Sequence, residues 1–117
     1  EGVKISMFDI SDPENVTETE KYVLENTYSS DVFYDYKAAF VDVEKNLIGF
    51  RVDGDVMRYV IFTYGENGFE CLFERELSGY AWNARAVYSG SRLYLVAGNT
   101  IESYDMKNYK KIDDIVL

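Results

Sequence analysis

Two segments of the chain combine aromatic side chains with carboxylates, amides and cations, the groups that hold a sugar or a peptide. The segments are residues 26–37 and 78–85. Flat aromatic faces stack on a ligand while polar groups orient it. The predicted ligand-binding residues are Tyr34, Asp35, Tyr36, Lys37, Tyr80, Trp82 and Arg85. The simpler interpretation, which we favour, is that these aromatics wedge between neighbouring structural units and that Arg85 or Lys37 pairs with a carboxylate.

A hydrolytic function is the alternative to ligand binding. Glycoside hydrolysis needs two carboxyl groups flanking the bond, and Asp31 with Asp35 would supply such a pair. Acidic residues number 21 in 117, so pairs at short spacing arise by chance. The chain has no histidine to act as a base or to activate Cys71, its one cysteine. We therefore predict no catalytic residue and a protein that is not an enzyme.

Clustered aspartates raise the question of a bound cation. Asp9 with Asp12, and Asp53 with Asp55, could offer oxygen ligands to calcium, but neither group matches a full calcium loop. Side chains of this type also form turns by accepting hydrogen bonds from nearby backbone N–H groups. We predict turns at both places, with no metal and no cofactor.

The net charge restricts the partners. It is −9, whereas phosphate backbones and anionic membranes attract basic surfaces. No run approaches the roughly 18 apolar residues that a membrane helix needs. We expect no nucleic-acid partner and no membrane insertion.

The elements that must position these residues are strands. Apolar residues alternate over Lys37–Val43, Leu47–Val52, Arg58–Tyr64, Phe69–Leu77, Ala84–Tyr88, Arg92–Ala97 and Thr100–Met106. Short turn signals separate the runs, and no segment has a sustained helical period. In the run Phe69–Leu77, strict alternation places Phe69, Cys71, Phe73 and Leu77 on one face. The pattern predicts an all-β fold made of an antiparallel meander.

A longer repeat lies above the alternation. Ile5–Asp9, Ile61–Gly65 and Ile101–Asp105 align without gaps, each with an aromatic residue in fourth place. The inner hairpins that precede the second and third copies start at Lys37 and Ala84, 47 residues apart. Four strands in about 40–50 residues are typical of β-propeller blades. An ordinary sandwich with evenly spaced hairpins is the alternative.

We therefore predict a partial propeller of about two and a half four-stranded blades. Residues 1–25 form the outer half of one blade, with its inner strand pair missing, and residues 31–77 and 84–117 form two further blades.

The sequence also resembles a known family. The segments VKISMFDISDPENVTETEKYVL, YVIFTYGENGFE and ARAVYSGSRLYLVAGNTIESYD are similar, in order, to the C-terminal part of bacterial secreted proteins with a C-terminal β-propeller domain. The family commonly has His-Lys where this chain has Tyr36-Lys37, and a more basic stretch around Arg85. The resemblance implies a secreted or cell-surface protein and carries over no activity.

The expected function is that of a non-enzymatic extracellular module that binds a protein or a carbohydrate at the cell surface. Isolated blades leave apolar faces and a free strand edge uncovered. We therefore also expect the chain to associate with further copies of itself or with the remaining blades of a full-length propeller.

Overall fold

The computed structural model describes residues 3–30, 39–66, 68–77 and 84–116, and these are built from β-strands without a helix. The predicted all-β fold is confirmed. Eleven strands are found in these ranges: β1 Val3–Asp9, β2 Thr17–Leu24, β3 Thr27–Ser29, β4 Phe40–Asp42, β5 Leu47–Gly54, β6 Met57–Gly65, β7 Gly68–Leu77, β8 Arg85–Ser89, β9 Arg92–Ala97, β10 Thr100–Asp105 and β11 Lys111–Val116. The described residues contain no helix that could span a membrane.

The strands form three antiparallel sheets. Strands β1 and β2 make an N-terminal hairpin, β3 to β7 make the central sheet, and β8 to β11 make the C-terminal sheet in meander order. Both β3 and β4 pair with β5, β3 near Gly54 and β4 near Ile48, so they share one edge of the central sheet. The central sheet thus includes β3, which lies before residue 31, the predicted start of the blade 31–77. The antiparallel meander that alternation predicted is therefore present.

The hairpin turns depend on residues that tolerate a left-handed backbone. Asn46 has φ 56°, Gly68 87°, Gly90 61° and Gly98 61°, and all four lie in turns that the sequence predicted. Glycine lacks the Cβ that makes this conformation unfavourable, and asparagine tolerates it better than most residues. The residue types at the turns therefore fix where each strand ends.

Gly54 has a different role, at the end of β5. A Cβ built on it would lie 1.8 Å from the carbonyl oxygen of Asn26. The backbone immediately before β3 passes this close, and the Asp55 N–H donates to the same Asn26 oxygen at 3.1 Å. Gly54 is therefore required by a close approach of two chain segments.

The central sheet is buried on both faces. The side facing the C-terminal sheet and the side facing the N-terminal hairpin each carry a separate hydrophobic core. The first core contains Leu47, Tyr59, Ile61, Phe73, Ala84, Leu93, Leu95 and Tyr104, and the second contains Val3, Leu24, Phe50, Val52, Val60 and Phe62. Four consecutive residues of β6, 59–62, are each at most 1% exposed. Because β6 is covered on both faces, its sequence at residues 59–62 is a continuous apolar run and does not alternate.

The predicted single apolar face of β7 is wrong. Ile61 pairs with Phe73, but Phe62 pairs with Cys71, so that Leu72 is the extra residue of a β-bulge. An extra residue in one strand reverses the alternation beyond it. Phe69 and Cys71 consequently pack against the core beside the N-terminal hairpin, while Phe73 and Leu77 pack against the other core.

Bulges recur in the three hairpins that the repeat predicted to be equivalent. The β1–β2 register shifts between Met7 and Phe8, and the β10–β11 register shifts between Ser103 and Tyr104. These two places coincide in the alignment of Ile5 with Ile101. In β6–β7 the shift comes two residues earlier in the aligned repeat. The repeat is therefore visible in backbone register as well as in sequence.

Candidate functional site

Six of the seven predicted ligand-binding residues lie outside the described residues, as do Asp31 and Asn83. The six are Tyr34, Asp35, Tyr36, Lys37, Tyr80 and Trp82. Arg85 is described, and it opens β8, where its Nη1 donates a hydrogen bond to the Ala84 carbonyl at 2.8 Å. The two predicted segments lead into β4 and β8.

Strands β4 and β8 meet through a tyrosine and an aspartate, and we name this place the β4–β8 junction. It consists of Phe40, Asp42, Lys45 and Tyr88. The Tyr88 hydroxyl donates a hydrogen bond to Asp42 Oδ2. The rings of Phe40 and Tyr88 pack edge to face, with centroids 5.8 Å apart. The junction thus joins the central sheet to the C-terminal sheet.

The turn after β4 completes the junction. Asp42 Oδ1 accepts the Lys45 backbone N–H at 3.0 Å, which closes the turn. This turn holds the Lys45 Nζ 5.1 Å from the centre of the Tyr88 ring. A cation over an aromatic face is attracted by the ring quadrupole. One face of Tyr88 is therefore covered by Lys45.

The charges at the junction are fixed by these contacts. The hydrogen bond from the Tyr88 hydroxyl, followed by that from the Lys45 backbone, lowers the pKa of Asp42. The same bond to the Asp42 carboxylate raises the pKa of Tyr88. Near neutral pH the pair is thus an anion and a neutral phenol, and neither group is poised to exchange a proton.

The other described carboxylates with a resolved shift behave in the same way. Hydrogen bonds lower the pKa of Asp9 and of Glu18. For Glu102, burial opposes ionisation, but the bonds from Arg75 and Tyr104 outweigh it and lower the pKa. A general acid needs a raised pKa. Neither these three carboxylates nor Asp42 has a raised pKa.

The predicted turn at Asp9 and Asp12 is present, whereas the Asp53 carboxylate pairs with Arg51. Asp9 Oδ1 accepts the Ser11 N–H at 2.9 Å, and Asp12 Oδ1 accepts the Glu14 N–H at 3.0 Å. Among the described residues, no group of three potential metal-binding side chains is close enough to share an ion. Asp9 and Asp12 therefore stabilise the turn that contains them.

Two further features lie outside the β4–β8 junction. Between the central and C-terminal sheets, Arg75, Glu102, Tyr104 and Lys111 form an ionic cluster around the Glu102 carboxylate. Beside β1 lies a groove of about 430 Å³, the β1 groove, which is lined by Lys4, Ile5, Ser6 and Met7 of β1 and by Val41, Ile48, Tyr64 and Phe69 of the central sheet. The cluster joins two sheets, and the groove follows the edge of a strand.

Asp42 and Tyr88 are not among the ligand-binding residues predicted from the sequence. Their separation is 46 residues, close to the 47 that separate the inner hairpins. Residues in neighbouring repeats lie about one period apart, so polar residues one period apart were the signal that could have identified the pair. Neither the strand alternation nor any local motif contains it.

Comparison with known proteins agrees with this architecture. The family model described as "Beta propeller domain" matches residues 1–109. The chain belongs to the β-propeller family. Its three sheets are thus propeller sheets, and the fold predicted from the repeat is confirmed.

One relative adds information on length. An uncharacterized protein of Archaeoglobus fulgidus is 30% identical over 116 residues, which cover 99% of this propeller chain and 17% of that protein. The chain thus spans about a sixth of the relative that it matches. No solved structure matches the chain.

Proposed function

We propose that this propeller chain is a non-enzymatic extracellular module that binds a protein partner at the β4–β8 junction. The observation that carries the proposal is the hydrogen bond from Tyr88 to Asp42, which joins the two strands into which both predicted ligand-binding segments lead. The extracellular location rests on the family resemblance alone.

The described residues favour a protein over a carbohydrate. Sugar rings stack on open aromatic faces, but Tyr88 carries Lys45 over one face and Phe40 at 5.8 Å. The exposed groups close by in the chain are the aliphatic Val43, which follows Asp42 and is 74% exposed, and the cation of Lys45. An apolar side chain next to a carboxylate on a partner protein would complement both.

The experiment measures binding to a peptide array and a glycan array, with single substitutions at the junction. We expect Lys45→Glu and Val43→Asp each to abolish the peptide signals. The matched controls are Lys110→Glu and Ile112→Asp, which make the same kinds of change at exposed positions near or in β11. Both controls should bind as the unmodified chain does.

Three results would contradict the proposal. One is that the junction variants and the controls bind peptides equally well. Another is signals on glycans alone. The third is turnover of chromogenic glycosides that Asp31→Asn or Asp35→Asn removes, which would establish the hydrolase alternative.

A further inference from the structure

Asn15, Val16 and Thr17 match the acceptor motif for N-linked glycosylation, an asparagine followed two positions later by serine or threonine. The middle residue must not be proline, and here it is valine. No other asparagine of the chain has serine or threonine at this spacing. So short a motif also arises by chance, and the structure around it therefore decides whether it can accept a sugar.

The motif lies at the exposed tip of the N-terminal hairpin. Asp9 and Thr17 form the last pair between β1 and β2, and the residues between them make the turn. Every residue from 8 to 23 is exposed, and neither hydrophobic core includes any of them. A transferase can therefore reach the motif in the folded chain without disturbing the packing of the sheets.

The backbone of this turn is held in place while the side chain of Asn15 is left free. The Asn15 N–H donates to the Asp12 carbonyl at 3.0 Å, and Asp12 Oδ1 accepts the Glu14 N–H at 3.0 Å. In the part of the chain that the structure describes, the Asn15 amide and the Thr17 hydroxyl have no hydrogen-bond partner. Both groups that the motif requires are thus available.

The turn itself does not explain why residue 15 is an asparagine. Asparagine is common in turns because it tolerates a left-handed backbone or bonds the nearby main chain. Asn46 shows the first use, with φ 56°, and Asn108 shows the second, since its Oδ1 accepts the Lys110 N–H at 2.9 Å. Asn15 has neither a positive φ nor such a bond. Its side chain is therefore not needed to form the turn.

The tip of the hairpin also exposes apolar side chains. Phe8 is 55% exposed, Ile10 72% and Val16 51%. Three such residues within one hairpin tip make an apolar surface that invites non-specific contacts. A glycan is bulky and hydrated, and one attached to Asn15 would shield this surface.

We propose that Asn15 is an N-glycosylation site. This inference rests on the extracellular location in the proposed function, because such sugars are attached to exported chains. The donor is an oligosaccharide linked through phosphate to a polyprenol lipid. Asn15 Nδ2 forms a bond to C1 of the first sugar while the bond from C1 to the phosphate oxygen breaks. The lipid phosphate leaves with the electron pair of that bond, and Nδ2 gives up one proton to the transferase.

Mass spectrometry of the natural-length protein, isolated from its own host, tests this proposal. Cells are fractionated first, so that exported and intracellular protein are digested separately. Trypsin releases residues 5–21 as one peptide, since Lys4 and Lys21 flank a stretch without another lysine or arginine. We expect this peptide from the exported protein to carry added mass that fragments into sugar ions. An unmodified peptide from exported protein would overturn the glycosylation site alone, whereas unmodified protein found only inside the cell would overturn the extracellular location as well.

Three substitutions at exposed positions of the hairpin identify the modified atom. Thr17→Ala removes the hydroxyl that the motif needs and should abolish the modification, whereas Thr17→Ser keeps a hydroxyl and should retain it. Thr19→Ala is the matched control, because it makes the same change two residues beyond the motif and should also retain it. A sugar that persists in Thr17→Ala would be attached to another residue and would contradict the proposal.

A second acceptor motif placed elsewhere provides a further control. Lys110→Thr creates one at Asn108, in the exposed turn between β10 and β11. We expect Asn15 to remain glycosylated in this variant. Sugar on Asn108 with none on Asn15 would show that the host modifies this chain but not at Asn15, and the proposal would be wrong.

Discussion

Arg75 on β7 and Glu102 on β10 face each other across the two large sheets and are joined by two parallel hydrogen bonds. Arg75 Nε lies 3.1 Å from Glu102 Oε1, and Arg75 Nη2 lies 2.8 Å from Oε2. The Tyr104 hydroxyl donates to Oε1 at 2.7 Å, and Lys111 Nζ lies 3.4 Å from Oε2. The Glu102 carboxylate thus contacts side chains on three strands, β7, β10 and β11.

The Glu102 cluster should make stability depend on acid. The pKa of Glu102 is lower in the folded chain than its ordinary value of 4.5, so the carboxylate stabilises the fold above that pH. The stabilisation is lost as pH falls through the lower, folded-state pKa. We expect Glu102→Gln to cost about 1.5–3 kcal/mol at pH 7. The difference from the unmodified chain should shrink below about pH 4.

Urea unfolding followed by circular dichroism at pH 7 and pH 3 measures this difference. Glu70→Gln, at an exposed position of β7, is the matched control and should change stability little at either pH. A Glu102→Gln cost that is the same at both pH values would contradict the proposed role of the charge.

The Tyr88–Asp42 bond should be visible in the titration of the phenol. Because the Asp42 carboxylate raises the pKa of Tyr88, we expect Asp42→Asn to lower that pKa toward its ordinary value of 10.0. Labelling the tyrosine ring carbons with ¹³C and following Tyr88 by NMR gives the measurement, and Tyr88→Phe assigns the signal. An unchanged Tyr88 titration in Asp42→Asn would show that the two sheets do not meet through this pair.

Two glycines should respond oppositely to the same substitution. At Gly54 an alanine Cβ would lie 1.8 Å from the Asn26 carbonyl oxygen, so β3 must move. We expect Gly54→Ala to cost about 3 kcal/mol. At Gly65 a Cβ would meet nothing within 4 Å, and Gly65→Ala should stabilise by about 0.4–1 kcal/mol through the unfolded chain. Thermal unfolding of both variants checks the pair, and similar effects would contradict the close approach of β3 to β5.

Cys71 should react slowly with alkylating reagents. Burial raises the pKa of its thiol, and the nearby Glu74 charge raises it further, whereas the reactive species is the thiolate. We expect labelling by iodoacetamide at pH 8 to be much slower in the folded chain than in urea. Mass spectrometry over time follows the reaction. Equal rates in both conditions would place Cys71 outside the core beside the N-terminal hairpin.

Much of the fold could be predicted because alternation and turn chemistry are local. The predicted run Arg92–Ala97 coincides with β9, and Leu47–Val52 falls within β5. Left-handed residues such as Asn46 and Gly90 mark the ends of strands regardless of what surrounds them. These features need only a few neighbouring residues, which a single sequence provides.

What escaped prediction depends on partners that are distant in sequence. Leu72 is a bulge only in relation to the register of β6, and the alternation of β7 gives no sign of it. β3 is three residues long and forms where its backbone reaches Gly54. At the candidate site, the bond between Asp42 and Tyr88 spans 46 residues, so it required the packing of two sheets.

The meander order of the strands has a consequence for how the chain folds. Within the central and C-terminal sheets, β5 to β7 and β8 to β11 each pair with the strand next to them in sequence, so each sheet forms by closing short loops. Loop-closure entropy is small for such local pairings, and folding is fast when contacts are local. We expect the docking of the sheets across the two cores to be the slower step, because it joins residues that are distant in sequence. The sheets can therefore form one after another in the order in which a ribosome releases them.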